Sequence, residues 1–97
     1  MINKKTQNLL VKYKIKLINK DKNTPRKEFI ANINDNKIMT FDLGRTETEI
    51  NLKIYKQKNN KFIKNYYISD KNIEKIIKIL KSKKYKKIIE TIEKYKN

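Results

Sequence analysis

The residues that could do chemistry in this sequence are lysines and tyrosines rather than catalytic groups. The chain has no Cys and no His, which argues against thiol chemistry, the usual zinc sites and imidazole acid–base catalysis. The carboxylates of Asp35, Asp42, Glu47 and Glu49 lie near one another in sequence, but turns and strand ends commonly carry such residues for solvation. With a single glycine, no phosphate-cradling loop is expected. We therefore predict neither an enzyme nor a cofactor or metal site.

Positive charge dominates the composition. The 26 Lys and Arg residues against 10 Asp and Glu give a formal net charge of +16. Such a field raises the rate of encounter with polyanions. Codon bias toward A and T explains lysine in place of arginine better than it explains the shortage of acids. The composition predicts a DNA or RNA partner bound through lysine–phosphate contacts. A basic protein-interaction or inhibitor module docking on an acidic partner, or a role at an anionic membrane surface, is an alternative.

Three groups of residues could supply contacts with a nucleic acid. A strand over residues 9–17 would place three lysines on one face, ~6.6 Å apart. Lys53 and Tyr55 share one face of a later strand, where an aromatic ring can stack on an unpaired base. The third group is a lysine cluster at 81–87. The candidate nucleic-acid-binding residues are Lys12, Lys14, Lys16, Arg45, Lys53, Tyr55, Lys64, Lys81, Lys83, Lys84, Lys86 and Lys87. Lysines that protect an edge strand or solvate a helix are the simpler explanation for the charged groups.

Arg45 is the best single candidate for contact with a base or a groove. Bidentate recognition of guanine prefers arginine, and the only arginines are Arg26 and Arg45. Arg45 directly follows Gly44, which marks a turn or a position with positive φ.

The elements that position these residues are predicted from apolar periodicity. Alternation over residues 9–17 predicts a strand, followed by a polar loop that ends at Pro25. Residues 27–33 fit either a strand or a helix that begins with Thr24 and Pro25. After a turn at 34–36, residues 38–43 alternate as a strand does.

Residues 46–58 also carry two patterns. Alternation from Ile50 to Ile54 predicts a strand, whereas Thr46 and Glu49 form a capping box that would begin a helix. We favour the strand, because a helix would scatter the apolar residues of this segment over different faces.

The segment that follows is predicted to be a turn and another strand. The turn spans residues 58–61, and residues 62–68 are rich in aromatic and branched side chains. Tyr66 and Tyr67 would point to opposite faces, so one of them should join the surface that carries Tyr55.

The C-terminal segment is predicted to be helical, with Ser69 or Asp70 as its cap. Two apolar stripes follow, the first formed by Ile73, Ile76, Ile77 and Leu80 and the second by Tyr85, Ile88, Ile89, Ile92 and Tyr95. The stripes are offset by about a quarter turn. The helix therefore either breaks near residues 81–84 or rotates its buried face there. Its far half could contact a partner, which predicts a homodimer.

Together these patterns predict one α+β nucleic-acid-binding domain over residues 1–97. A small antiparallel sheet of about four to five strands spans about 9–68, and the helical segment spans about 70–96. No apolar run reaches the ~18–20 residues of a membrane span. The N-terminus also lacks the apolar region of a signal peptide. We therefore expect a cytoplasmic, intracellular location.

The order of four strands and a helix over residues 27–80 resembles the single-strand-binding domains of the PUR-repeat and positive-cofactor (transcriptional coactivator) families. The most similar stretch runs from Ile50 to Tyr55, through a turn, and from Phe62 to the helix that ends at Leu80. The resemblance implies binding of single strands on a curved sheet face and dimerisation through helices. Lys64-Asn65 lies where the coactivators often have a Lys-Gly pair.

A second resemblance concerns residues 43–50, Leu-Gly-Arg-Thr-Glu-Thr-Glu-Ile. They are similar to the turn and the start of the recognition helix in winged helix-turn-helix proteins, with residues 61–68 as part of the wing. This resemblance implies double-stranded DNA with a helix in the major groove. Arg45 and Lys53 lie where that motif has apolar residues.

Overall fold

The computed structural model describes residues 2–19 and 27–97. The elements in chain order are α1 Lys4–Lys12, β1 Lys16–Asn19, β2 Lys27–Asn34, β3 Lys37–Leu43, β4 Glu49–Lys56, β5 Lys61–Ser69, α2 Ile73–Ile79, a 3-10 turn Leu80–Ser82 and α3 Tyr85–Tyr95. The predicted α+β class, an antiparallel sheet followed by C-terminal helices, is confirmed.

The five strands form an antiparallel meander in which neighbours in sequence are neighbours in space, in the order β1-β2-β3-β4-β5. Turns at 35–36 and 57–60 join β2 to β3 and β4 to β5. The strand alternatives for residues 27–33 and 46–58 are therefore the correct ones. β1 pairs with only the first half of β2, from Lys27 to Ile30, so no described strand lies beside the second half of β2 on that side.

One face of the sheet packs against the helices and forms the core. The buried apolar residues are Ile2, Leu10, Phe29, Ala31, Ile33, Met39, Phe41, Ile50, Leu52, Ile54, Tyr66, Ile68, Ile73, Ile76, Ile77, Leu80, Ile88 and Ile92. Because they come from alternate strand positions and from all three helices, the helices share one side of the sheet. The other strand positions form what we call the outer face, and most of its side chains are partly or fully exposed.

The N-terminal segment differs from the prediction, because α1 replaces the first part of the strand expected over residues 9–17. The side chain of Asn3 caps this helix by accepting a hydrogen bond from the backbone N–H of Thr6 at 2.9 Å. Thr6 and Leu10 lie one helical turn apart, and both are buried. The apolar residues of this segment satisfy the period of a strand and that of a helix, and the N-cap and the burial of Leu10 favour the helix.

The C-terminal segment contains the predicted break. The 3-10 turn follows α2, and Lys83 adopts a left-handed conformation with φ 57° before α3 begins. The predicted cap is wrong, because Ser69 is the last residue of β5 and the N-cap of α2 is Asn72. Residues 70–72 are used to turn the chain from the sheet onto its helical side.

The second apolar stripe of this segment is used within the chain. Ile88 and Ile92 of α3 are fully buried, and α3 packs against α2 and β5. The centre of the stripe assigned to a partner subunit is therefore used by the chain's own core, whereas Tyr85, Ile89 and Tyr95 are partly buried. Homodimerisation stays a prediction.

Gly44 lies where β3 gives way to the connection with β4. Its N–H donates to the carbonyl oxygen of Glu49 at 2.8 Å, and a Cβ at this position would lie 2.7 Å from that oxygen. Its φ is not positive, so glycine is needed here for space rather than for conformation. β4 begins at Glu49, so a strand follows this turn where the winged-helix resemblance implies a recognition helix.

Two further predictions concern the loop before β2 and the absence of a membrane span. The loop that ends at Pro25 and the alternative helix start at Thr24 lie outside the described residues. Among residues 2–19 and 27–97, no helix is long and apolar enough to cross a membrane.

Candidate nucleic-acid interface

The outer face carries Lys53 and Tyr55 side by side on β4. Lys53 lies between Thr40 of β3 and Asn65 of β5, so it occupies an interior position of the face rather than its rim. Alternation places Tyr55 two residues further along the same face. The shared face expected from the sequence is therefore present, and both side chains are partly exposed.

A β-bulge in β5 adds Phe62 to this surface. The pairing of β4 with β5 shifts between Ile54 and Tyr55, so that Ile54 faces Lys64 and Tyr55 faces Phe62. The intervening Ile63 packs against the core instead. The rings of Tyr55 and Phe62 meet edge to face, with centroids 5.8 Å apart and planes at 68°. We call these two side chains the aromatic pair.

Phe62 is the functional candidate that sequence analysis missed. It lies in the predicted strand, but simple alternation from Tyr66 would place it on the core face, and the bulge reverses that assignment. Its side chain is 52% exposed, which is unusual for phenylalanine. The asparagine-rich turn just before β5 is a weak signal of irregular pairing at this end of the hairpin.

Arg45, the best single candidate from the sequence, forms an ion pair at the β3–β4 connection while its side chain stays largely exposed. Its Nε and Nη2 atoms donate to Oε1 and Oε2 of Glu49, each at 2.8 Å. Its guanidinium also lies 4.1 Å from the ring centroid of Tyr67 on the outer face. Arg45 therefore has a structural role at the β3–β4 connection, and its contact with a base stays a prediction.

Glu49 is the centre of this network and its carboxylate is stabilised in the ionised form. The hydrogen bond from Arg45 contributes most, followed by one from the side chain of Asn97 at 2.8 Å. Together they lower the pKa of Glu49 from 4.5 to about 2. The network joins the β3–β4 connection to the C-terminal residue of the chain.

Replacing Glu49 by Gln is expected to reduce the dependence of stability on pH. Because the folded state lowers the pKa of this carboxyl, its contribution is complete above 4.5 and is lost as pH falls toward about 2. The measurement is the urea midpoint across that window. The wild type should lose stability more steeply than Glu49→Gln, and Glu90→Gln is the control for removing an exposed carboxylate. Identical slopes for wild type and Glu49→Gln would contradict this role.

The predicted lysine ladder of the first strand does not form. Lys12 is the last residue of α1, Lys14 lies in the following turn with φ 60°, and Lys16 begins β1. The three lysines have three different backbone conformations, so their side chains do not line one face of a strand. Lys16 alone lies on the outer face, where it pairs with Ile30.

Lys64 does not join the surface that carries Tyr55. It pairs with Ile54 and therefore points to the helical side of the sheet. Its Nζ lies 3.2 Å from Oε1 of Glu93 in α3. The pKa of Glu93 is lowered to about 2, mainly by a hydrogen bond from Lys96 and next by the one from Lys64. Lys64 thus ties β5 to α3, and its contact with a phosphate stays a prediction.

The lysine cluster at 81–87 divides between two surfaces. Lys81 lies in the 3-10 turn and Lys83 reaches the edge of β2, where its Nζ is 3.3 Å from the carbonyl oxygen of Asn32. Lys84 is the N-cap of α3, and Lys86 and Lys87 are exposed in the first turn of that helix. The break at Lys83 therefore separates lysines that the sequence places together.

Comparisons with known protein families, curated proteins and solved structures find no match for this chain. Among the residues that the structure describes, no group of three or more acidic side chains could hold a metal ion. Among the described residues, the aromatic pair and Lys53 on the outer face are accessible for recognition, and exposed lysines also lie around the edge of β2 and in the first turn of α3.

Proposed function

We propose that this protein binds single-stranded nucleic acid, DNA or RNA, on the outer face of its sheet. The observation that carries the proposal is the aromatic pair beside Lys53 on a sheet face that the helices leave uncovered. Bases supply flat apolar surfaces and the backbone supplies phosphates, and the outer face offers a partner for each. No catalytic step is part of this function.

The aromatic pair supplies the surface on which bases can stack. Every unpaired base has a π-face, so stacking on Tyr or Phe tolerates many sequences. Among the described residues, Tyr55 is the aromatic side chain that contacts the exposed ring of Phe62. Exposure of an apolar ring costs free energy in water, and an incoming base would remove that cost.

Lysines at two positions across the sheet supply contacts with the backbone. The register places Lys16 of β1 and Lys53 of β4 in one row across the strands. They are separated by three strand spacings, which corresponds to ~14 Å. A strand of nucleic acid that crosses the sheet could therefore meet both lysines while its bases reach the aromatic pair.

A single strand suits this surface better than a duplex. In a duplex the bases are stacked on one another and their faces are not accessible, so the aromatic pair would have no role. Recognition in the major groove also requires an inserted helix or ribbon, whereas residues 49–56 are an interior strand of the sheet.

Lys53→Gln is expected to weaken the dependence of binding on salt. Each lysine that neutralises a phosphate of a single strand contributes ~0.7 to the slope of log affinity against log salt concentration. The variant should therefore show a slope smaller by ~0.7 than the wild type. The measurement is fluorescence anisotropy of a labelled oligothymidylate over a series of salt concentrations.

Lys71→Gln is the matched control, because Lys71 is an exposed lysine in the turn after β5. It removes the same formal charge and should leave the slope unchanged. Equal slopes for wild type and Lys53→Gln would count against a contact at this position. Binding by the wild type that ignores salt would count against the proposed function as a whole.

A further inference from the structure

The strand β2 is only half paired on the side away from β3, and its second half forms an edge of the sheet that we call the β2 edge. β1 ends its pairing at Ile30, and from Ala31 onward no described strand lies against this edge. Just before β1, the chain belongs to the end of α1 rather than to the sheet, because the N–H of Ile15 donates to the carbonyl oxygen of Leu10. Backbone groups of the second half of β2 are therefore available beside the point where β1 begins.

Asn32 is the residue whose backbone faces the open edge. Lys83 Nζ lies 3.3 Å from its carbonyl oxygen, so this carbonyl points away from β3. In an antiparallel strand the N–H and C=O of one residue point to the same side. The N–H of Asn32 therefore points outward as well. A lysine ammonium thus occupies the place where the N–H of an added strand would donate.

A groove of about 700 Å³ runs along this edge. Its apolar lining includes Ile30 of β2 and Ile77 and Leu80 from the helical side. A second groove of about 530 Å³ shares Asn32 and Lys83 with it and continues toward the β2–β3 turn. The two together follow the unpaired half of β2, ~13 Å for four residues of strand.

The charge around the groove selects the kind of segment that could occupy it. Lys14, Lys16, Lys81 and Lys83 line the larger groove, and none of its described lining residues is acidic. Among the described residues, the smaller groove adds one carboxylate, that of Asp35. A second copy of this edge would bring the same lysines face to face, and like charges at close range repel. An acidic segment is attracted instead.

We infer that the β2 edge binds an extended acidic peptide segment of another protein by strand addition. The peptide backbone would pair with Asn32 in line with β1, which displaces the ammonium of Lys83 from the carbonyl. Carboxylates of the peptide would meet the surrounding lysines, and alternate apolar side chains would enter the groove. Strand addition supplies affinity through backbone hydrogen bonds and specificity through side-chain pockets. This site does not include the aromatic pair and does not rest on the proposed function.

The test uses the full chain and a short acetylated peptide in which Glu and Val alternate. Binding is measured by anisotropy of the labelled peptide. Asn32→Pro removes the outward N–H and is sterically tolerated at an edge position. It should lower the affinity by about tenfold or more, since a proline blocks strand pairing. Asn32→Ala keeps the backbone donor and should stay within about twofold of the wild type.

A second measurement does not depend on how the proline variant folds. In the wild type, addition of the peptide should slow hydrogen exchange of the Asn32 amide, whereas a peptide in which Lys and Val alternate should not. Absence of protection at Asn32 on saturation with the acidic peptide would overturn the inference. So would equal binding by Asn32→Pro and Asn32→Ala.

The two sites share Lys16, but the aromatic pair belongs to one and the Asn32 amide to the other, so their failures are distinguishable. Phe62→Ala should leave peptide binding unchanged, and Asn32→Pro should leave binding of oligothymidylate unchanged. If oligothymidylate protected the Asn32 amide and the acidic peptide did not, the edge would be part of the nucleic-acid interface and the strand-addition inference would be wrong.

Discussion

Alanine in place of Tyr55 or Phe62 is expected to lower the affinity for a single-stranded oligonucleotide by about 5- to 150-fold, since each base–aromatic stack is worth ~1–3 kcal/mol. Both rings lie on the outer face, and Phe62 is 52% exposed. Their loss removes the stacking surface but no core residue. The measurement is anisotropy of labelled oligothymidylate at one fixed salt concentration, with each variant's folding checked by circular dichroism.

Tyr55→Phe is the matched control for this prediction. It keeps the ring and its edge-to-face contact with Phe62, and so should keep the affinity of the wild type within about twofold. The double alanine variant should lose less than the sum of the two single effects, because residues in contact are coupled. Unchanged affinity in both single alanine variants would remove the aromatic pair from the binding site.

Leu10→Ala is expected to destabilise the fold by ~2–5 kcal/mol, the usual cost of truncating a buried leucine. Leu10 in α1 is fully buried and belongs to the core. A domain of this length typically has a free energy of unfolding of ~5–15 kcal/mol. The change is therefore a large part of the total and is measured by urea denaturation.

Val11→Ala is the control that distinguishes a helix from a strand in this segment. In α1 the side chain of Val11 is 64% exposed, so its truncation should cost less than ~0.5 kcal/mol. In an alternating strand over residues 9–17, Val11 would face the core and Leu10 would face solvent, which reverses the order of the two effects. A larger loss for Val11→Ala than for Leu10→Ala would contradict the helix.

Much of the sheet and the C-terminal helices follow from local sequence patterns. Residues 38–43 and 50–54 alternate as strands do, and residues 62–68 are rich in aromatic and branched side chains. The offset between the two helical stripes indicates either a break or a rotated face at 81–84, and the structure has the break. The N-terminal segment was predicted wrongly, because its apolar residues satisfy both periods. A single side chain, Asn3, caps the helix there, and its contribution depends on the contacts of the folded chain: its amide also donates to the carbonyl oxygen of Glu47 and to Asp70, at 2.9 and 3.0 Å.

The candidate site could be predicted only in part, because some of its residues depend on contacts between distant segments of the chain. Alternation suffices to place Lys53 and Tyr55 on one face, because both lie in one regular strand. Phe62 depends on a bulge, which pairing between strands determines and local sequence does not. Arg45 and Lys64 are engaged by Glu49 and Glu93. The partner of Lys64 lies in α3, far along the chain, so only the tertiary fold reveals that this lysine is occupied.

The aromatic resonances of phenylalanine offer the most direct test of stacking on the outer face. The chain has three phenylalanines, and Phe29 and Phe41 are buried whereas Phe62 is exposed. In protein labelled only in its phenylalanine rings, Phe62→Leu assigns the exposed ring. Saturation with oligothymidylate should shift the resonance of Phe62 through the ring currents of stacked bases and leave the two buried rings in place. Saturable binding of the oligonucleotide with an unshifted Phe62 resonance would contradict the proposed function on this face.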